Sequence, residues 1–269
     1  MTTLDRRSFE LRKLAIDALV AGGRGHVGSA FSLVEMLRVL YDSVLRYDPA
    51  RPEWEDRDRF ILSKGHGCLA FYAILADKGF FPKDELLKFC KRDGILGGHP
   101  EAGKIPGVEA STGSLGHGLS IAVGKAQAAR IKGQKHRVFI IVSDGECNEG
   151  STWEAALSAA KHKLDNLVVL LDYNKQQSYS TTSEVLELEP LADKWSAFGF
   201  AVREVDGHDV DAISRELQTA PFAAGRPSLL LCHTVKGKGV PFAERNLSWH
   251  HKNKLTEDEV KALYEAVGR

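Results

Sequence analysis

Apolar positions along this chain follow two rhythms. Val138 to Val142 and Leu167 to Leu171 are short, continuous apolar runs, the form taken by a parallel strand buried on both faces. Arg59 to Leu62, Phe200 to Val205 and Ser228 to His233 read as three further strands. Helical spacing governs other stretches. Leu11, Leu14, Ala15, Ala18 and Leu19 predict an amphipathic first helix, broken by the segment Gly22 to Gly28. Ser32-x-x-Glu35 has the form of a capping box and predicts a helix with Met36, Leu37, Leu40, Tyr41 and Val44 inward. Further helices are predicted through Leu69, Tyr72, Ala73 and Ala76, over Leu86 to Cys90 and over Leu115 to Ile131. A terminal helix over Leu255 to Val267 is introduced by Thr256 and Glu259. The stretch Arg92 to Ser114 is glycine-rich and aperiodic, a loop of the length that is functional or disordered in a compact domain. Alternating strands and helices predict one α/β domain over residues 1–269, with a mostly parallel central sheet flanked by helices.

The unit between the two central runs is the most informative part of the pattern. Ser151-Thr152-Trp153-Glu154 has the capping-box form, and the helix it would open places Trp153, Ala156, Leu157 and Ala160 on one face. A strand–helix–strand crossover brings both strand C-termini to one edge of the sheet, where open α/β sheets bind ligands. Asp144 and Asn174 fall just past their strands and can converge there. A carboxylate plus an amide carbonyl is a hard oxygen set suited to Mg²⁺ or Ca²⁺, ions that borrow further ligands from bound phosphate. Gly145 and Gly150 permit close backbone approach, and the free N–H groups at the following helix start favour an anion. A metal–diphosphate site is one reading; a strand-end Asp and an Asn serving only as turn residues is the other.

Composition narrows the classes. The 36 basic and 36 acidic residues cancel, which argues against a dedicated nucleic-acid or polybasic membrane surface. The four cysteines form no C-x-x-C pair, so a reduced, cytoplasmic setting fits. The start MTTLDRRSFE has no apolar signal core, and no apolar stretch approaches the roughly 20 residues of a membrane span. Gly23-x-Gly25-x-x-Gly28 matches a dinucleotide fingerprint, with Asp48 about twenty residues on, but a helix precedes it where a strand is required.

Four histidines sit between glycines or close to them: His26 (GHVG), His66 (KGHG), His99 (GGHP) and His117 (LGHG). Histidine suits proton transfer near neutral pH. Each alone reads as a surface or loop-bridging residue; four in similar settings, with His250, shift the balance towards a shared site.

The stretch SDGECNEG with Asn174 thirty residues on resembles the thiamine-diphosphate signature, with Ser143 in place of its first glycine. GHVGSAFSLVEML, SKGHGCLAFYAIL, GHPE, STGSLGHGLSIAVGKA, SDGECNEG and TVKGKGV occur in the order found in transketolases, so the chain resembles that family's diphosphate-binding N-terminal domain from about Leu11 to His251. The resemblance implies thiamine diphosphate held through Mg²⁺ or Ca²⁺, with Asp144, Asn174 and the Gln176 backbone carbonyl as metal ligands and Gly145 against the diphosphate. It implies that His26, His66, His99 and His250 line the substrate channel, that His66 and His250 also lie near the diphosphate, and that Gly116 contacts the cofactor. Glu149 resembles a residue of a carboxylate network across the subunit interface; its other reading is a helix N-terminal acid. His117 stands where many members have Gln, and His251 replaces a common Gly.

Family enzymes have two more domains, one carrying the glutamate that activates the cofactor. The implied assembly is therefore a split transketolase: two copies of this chain with two of a partner bearing the pyrimidine-binding and C-terminal domains, acting on sugar phosphates. A two-carbon ketol unit would pass from a ketose to an aldose, with the cofactor as electron sink. Other readings are a subunit for an unusual sugar, a relative of 1-deoxyxylulose-phosphate synthase or of 2-oxo-acid dehydrogenases, or a non-catalytic binding homologue.

Overall fold

The buried apolar runs become five parallel strands, β1 Arg59–Leu62, β2 Val138–Ser143, β3 Leu167–Tyr173, β4 Ala201–Asp206 and β5 Ser228–His233, in the spatial order β1-β2-β3-β5-β4. The structure is a computed structural model and describes residues 3–268. The helices are α1 Arg6–Gly22, α2 Val27–Phe31, α3 Val34–Val39, α4 Cys68–Asp77, α5 Gly118–Ile131, α6 Gly150–Lys161, α7 Thr182–Val185, α8 Leu191–Ala197, α9 Val210–Gln218 and α10 Glu257–Ala266.

Strand alternation divides the core into two layers. Phe139, Ile141, Val168 and Leu170 point into the layer built with α1, α3 and α4, while Ile140, Val142, Val169 and Leu171 point into the layer built with α5, α6 and α8. Each Leu, Ile or Val so buried contributes about 1.5–3 kcal/mol, which is why the two central strands are apolar from Val138 to Val142 and from Leu167 to Leu171. Because all five strands run the same way, the residues that follow them collect at one edge: Lys64 after β1, Asp144 after β2, Asn174 after β3 and Lys236 after β5.

Two of the three expected capping boxes do not form. At α3 the cap position is Leu33 and no side chain caps the helix; the Ser32 hydroxyl donates instead to Asp172 Oδ2 at 2.7 Å. Glu35 is wholly buried between Arg12, at 2.6 and 3.0 Å, and His208. At α6 the cap is Glu149, and Ser151 Oγ donates to the Gly116 carbonyl at 2.8 Å. Its inward face is Thr152, Ala155, Ala156 and Ala159, so Leu157, expected inside, is 57% exposed. The small side chains let α6 lie close to the sheet. The Thr256–Glu259 box is formed as read. The expected helix at Leu86–Cys90 is a 3₁₀ segment at Lys83–Lys88, and α2 starts at the end of the Gly22–Gly28 break and runs past it to Phe31.

The loop 92–114 has no regular element, yet it is tied down at several points. Tyr72 Oη donates to the Gly97 carbonyl at 3.0 Å, Cys68 Sγ to the Gly98 carbonyl at 3.2 Å, and Thr112 Oγ1 to the Leu62 carbonyl at 2.7 Å. It therefore holds His99 against the sheet edge.

Candidate functional site

A cleft of about 210 Å³ opens where the four strand ends converge. Asp144, Gly145, Asn174 and Gln176 form one wall, and His26, His66, His99 and His250 form another. Lys64 and Lys236 line it as well. The β2–β3 register sets the first wall: Ser143 pairs with Asp172, so Asp144 and Asn174 leave neighbouring strands within one residue of the same level.

Asp144 is buried, and among the described residues its two oxygens accept only backbone N–H groups, from Gly145 at 2.7 Å and Lys175 at 2.6 Å. Burial, then the nearby Asp172 charge, pushes its pKa up to about 7. A carboxylate so placed gains most from a cation. Asn174 Oδ1 accepts from Gln176 N at 3.1 Å, and its amide nitrogen donates to Asp172, which orients the oxygen away from that carboxylate. The Gln176 and Gln177 carbonyls accept from the Lys236 ammonium at 3.0 and 3.1 Å, so both are already turned towards positive charge. Burial and Lys64 bring the Lys236 pKa down to about 8.

Unpaired polar atoms concentrate in this cleft. Ser29 Oγ, Gln176 Oε1, Gln177 Nε2 and His250 Nδ1 are buried without a hydrogen-bond partner, and all four residues line it. Buried polar atoms are ordinarily satisfied, so this grouping marks a place for a polar ligand. The hard oxygens of Asp144, Asn174 and the Gln176 carbonyl fit a divalent cation, and the two lysines fit the anionic group it would carry. Among the described residues there is no cluster of three His, Cys, Asp or Glu side chains able to hold a metal.

The histidines gather from four separate segments. His26 caps α2, His66 sits in a 3₁₀ turn after β1, His99 comes from the 92–114 loop, and His250 follows a short turn at Leu247–Trp249. Ring centroids of His26, His66 and His250 lie 5.3 to 5.8 Å apart, and His99 lies 6.4 Å from His26. Gly113, at φ +155°, permits the approach of His99, since a Cβ there would come 2.8 Å from its ring. Burial, then neighbouring imidazoles, pulls the His26 pKa down to about 3; burial, then Lys236 and Lys64, does the same for His250. His66 is held well below its ordinary value and His99 below it, both by burial first. These rings are neutral at neutral pH and can each both donate and accept a hydrogen bond.

Three expected residues lie elsewhere. Gly116 is buried beside the cleft without lining it; its N–H donates to Glu146 Oε1 at 2.8 Å, and its φ of +79° makes the turn that leaves Leu115 in the cleft wall. Glu149 is exposed at the start of α6. His117 is exposed, with Nδ1 3.0 Å from the Leu115 carbonyl. The expected helix N-terminus is displaced too. A 3₁₀ turn, Gly145–Asn148, follows β2, and no residue of α6 lines the cleft. Its positive charge comes from Lys64 and Lys236, which sequence reading did not single out; their only signal is the glycines that flank them in SKGHG and VKGKG.

No helix among the described residues is long and apolar enough to cross a membrane. The family model "Transketolase, thiamine diphosphate binding domain" matches residues 5–269. A 6-deoxy-6-sulfo-D-fructose transketolase subunit from Clostridium sp. (strain MSTE9) is 44% identical over 260 residues, covering 96% of this chain and 94% of that protein. An apulose-4-phosphate transketolase subunit from Phocaeicola vulgatus is 38% identical, covering 99% of this chain and 95% of that protein. The structure of transketolase from Leishmania mexicana superposes with a TM-score of 0.90 at 31% identity over 100% of this chain, which spans only 42% of it. The chain thus belongs to the transketolase family, matching its thiamine-diphosphate-binding domain.

Proposed function

We propose that this chain is the diphosphate-binding subunit of a two-chain transketolase. Asp144, Asn174 and the Gln176 carbonyl hold Mg²⁺ or Ca²⁺, Gly145 and the two lysines face the diphosphate, and the four histidines receive the sugar. The observation that supports this most is the meeting of the hard-oxygen corner and the histidine group in one cleft. The bound cofactor supplies the electron sink for carbon–carbon bond cleavage. The chain itself positions and moves protons: the neutral rings of His26, His66 and His250 accept a proton from a sugar hydroxyl and, once protonated, return it, and the exposed His99 orients the donor at the mouth.

The pyrimidine-binding and C-terminal domains come from a partner chain, in an assembly of two copies of each working in the cytoplasm. Glu149, exposed at the start of α6, faces that assembly as part of a carboxylate network between subunits. Two relatives matched along nearly their whole length are themselves named as subunits. Their names also specify 6-deoxy-6-sulfo-D-fructose and apulose-4-phosphate. Those names favour a donor outside the common pentose phosphates, with an anionic group at its far end.

The test is reconstitution. The partner is isolated by co-purification from the native source, and ketol transfer is assayed with each chain alone and with both, given thiamine diphosphate and Mg²⁺. Activity is expected only from the pair; robust transfer by this chain alone would contradict the two-chain reading.

A further inference from the structure

Beside the cofactor cleft lies a second chamber of about 270 Å³. It shares His26 and His99 with the first, so the two cavities meet at the histidine wall. Its remaining lining includes Arg24, His251, Cys90 and Phe89, and no Asp or Glu is among its lining residues.

The backbone fixes this arrangement. Gly25 and Lys252 form an antiparallel bridge, each N–H donating to the other's carbonyl at 2.9 Å. The bridge locks the segment carrying His250 and His251 against the one carrying Arg24 and His26. Consecutive residues then serve different cavities: His250 lines the cleft and His251 lines the chamber. The His251 ring packs on His26 at 4.3 Å between centroids, and His26 lies 5.3 Å from His66. His66, His26 and His251 thus form a row of rings from the cleft to the chamber.

The far end of that row is positively charged and unneutralised. Arg24 is exposed and, among the described residues, makes no ion pair or hydrogen bond. Burial, then the positive charge of Arg24, holds the His251 pKa below its ordinary value, so that ring is neutral and available as a hydrogen-bond donor. Phe89 and Cys68 give the chamber an apolar floor. A planar guanidinium with free donors, a neutral imidazole and no competing carboxylate form a receptor for a tetrahedral oxyanion.

We propose that this chamber is the subsite for the distal oxyanion of the sugar donor, with Arg24 as its charge partner and His251 as the residue that orients it. The proposal rests on the transketolase reading. It adds that selection for a phosphate- or sulfonate-bearing donor is made partly by this chain, through residues that touch neither the cofactor nor the reacting carbons.

The experiment uses the reconstituted two-chain complex and three donors of one carbon skeleton, ending in phosphate, sulfonate or a free hydroxyl. Arg24→Gln is compared with wild type for kcat and KM, and cofactor binding is followed separately by calorimetry. Expected is a rise in KM of about ten- to a hundredfold for the two charged donors, as loss of a charge-assisted bond gives. For the neutral donor KM changes less than about twofold, with kcat and cofactor affinity unchanged, as removing a contact made equally in ground and transition state requires. Arg24→Lys recovers part of the loss. The phosphate and sulfonate arms show which oxyanion the chamber prefers. An equal effect of Arg24→Gln on charged and neutral donors, or none on either, overturns the subsite while leaving transketolase activity standing. A wild-type complex that transfers from no donor overturns the functional reading itself and the subsite with it.

Discussion

At the end of β3, Asp172 is wholly buried and fully satisfied. Lys64 Nζ reaches it at 2.5 Å, Ser32 Oγ at 2.7 Å and Asn174 Nδ2 at 3.1 Å, and Thr234 Oγ1 donates to its other oxygen. One strand over, one residue beyond the Ser143 that pairs with Asp172, Asp144 is equally buried, but among the described residues only two backbone N–H groups reach its oxygens. Their environments push them apart: burial would raise both, yet Lys64 and the hydroxyls hold the Asp172 pKa below its ordinary value, while that of Asp144 climbs to about 7. One carboxylate ties the fold together, and the other is the one we propose takes a cation. The same residue type at adjacent strand ends thus divides structure from function according to its partners.

The largest expected effect on the structural side comes from Asp172→Ala. It leaves Lys64 buried and unpaired, and a broken buried pair costs about 3–5 kcal/mol, read from denaturant unfolding of the chain. A loss below about 1 kcal/mol would erase the distinction between the two corners.

Glu35, the other saturated buried acid, gives the next effect. Burial would raise its pKa, but Arg12 and then His208 bring it down to about 2 from the ordinary 4.5. A depressed folded-state pKa gives stability that is present above the unfolded value and lost as pH falls through the folded one. Wild type should therefore lose about 3 kcal/mol more than Glu35→Gln between pH 4.5 and 2. Parallel stability–pH curves for the two proteins would show that Glu35 is not held this way.

The smallest effect is expected from Ser32→Ala. It removes one of several donors to Asp172 and should cost about 1 kcal/mol. Since the two residues are in contact, its effect should be non-additive with Asp172→Asn in a double-mutant cycle. Full additivity would return Ser32 to a local capping role.

Much of this contrast was legible in the sequence, and its limits have physical causes. The apolar runs at Val138 and Leu167 announced strands buried on both faces, which in turn placed Asp144 and Asn174 at one edge. Glycine neighbours marked three of the four histidines that line the cleft, His26, His66 and His99, along with His117, which does not line it; His250 has no glycine beside it. The capping boxes at Ser32 and Ser151 misled because both hydroxyls are taken by partners distant in sequence, Asp172 and Gly116. The one at Thr256 forms because α10 carries its cap on an exposed surface, where nothing competes for the hydroxyl. Lys64 and Lys236 went unnoticed because a lysine reads as solvated until the fold buries it. The chamber at Arg24 was likewise invisible, since a bridge between Gly25 and Lys252 spans nearly the whole chain.

The claim that Asp144 awaits a cation is tested most directly by calorimetric titration of thiamine diphosphate and Mg²⁺ into the assembled complex, wild type against Asp144→Ala. The variant should keep its fold, shown by an unchanged circular dichroism spectrum, and lose metal-dependent cofactor binding. Unchanged cofactor affinity in a folded Asp144→Ala complex would contradict it.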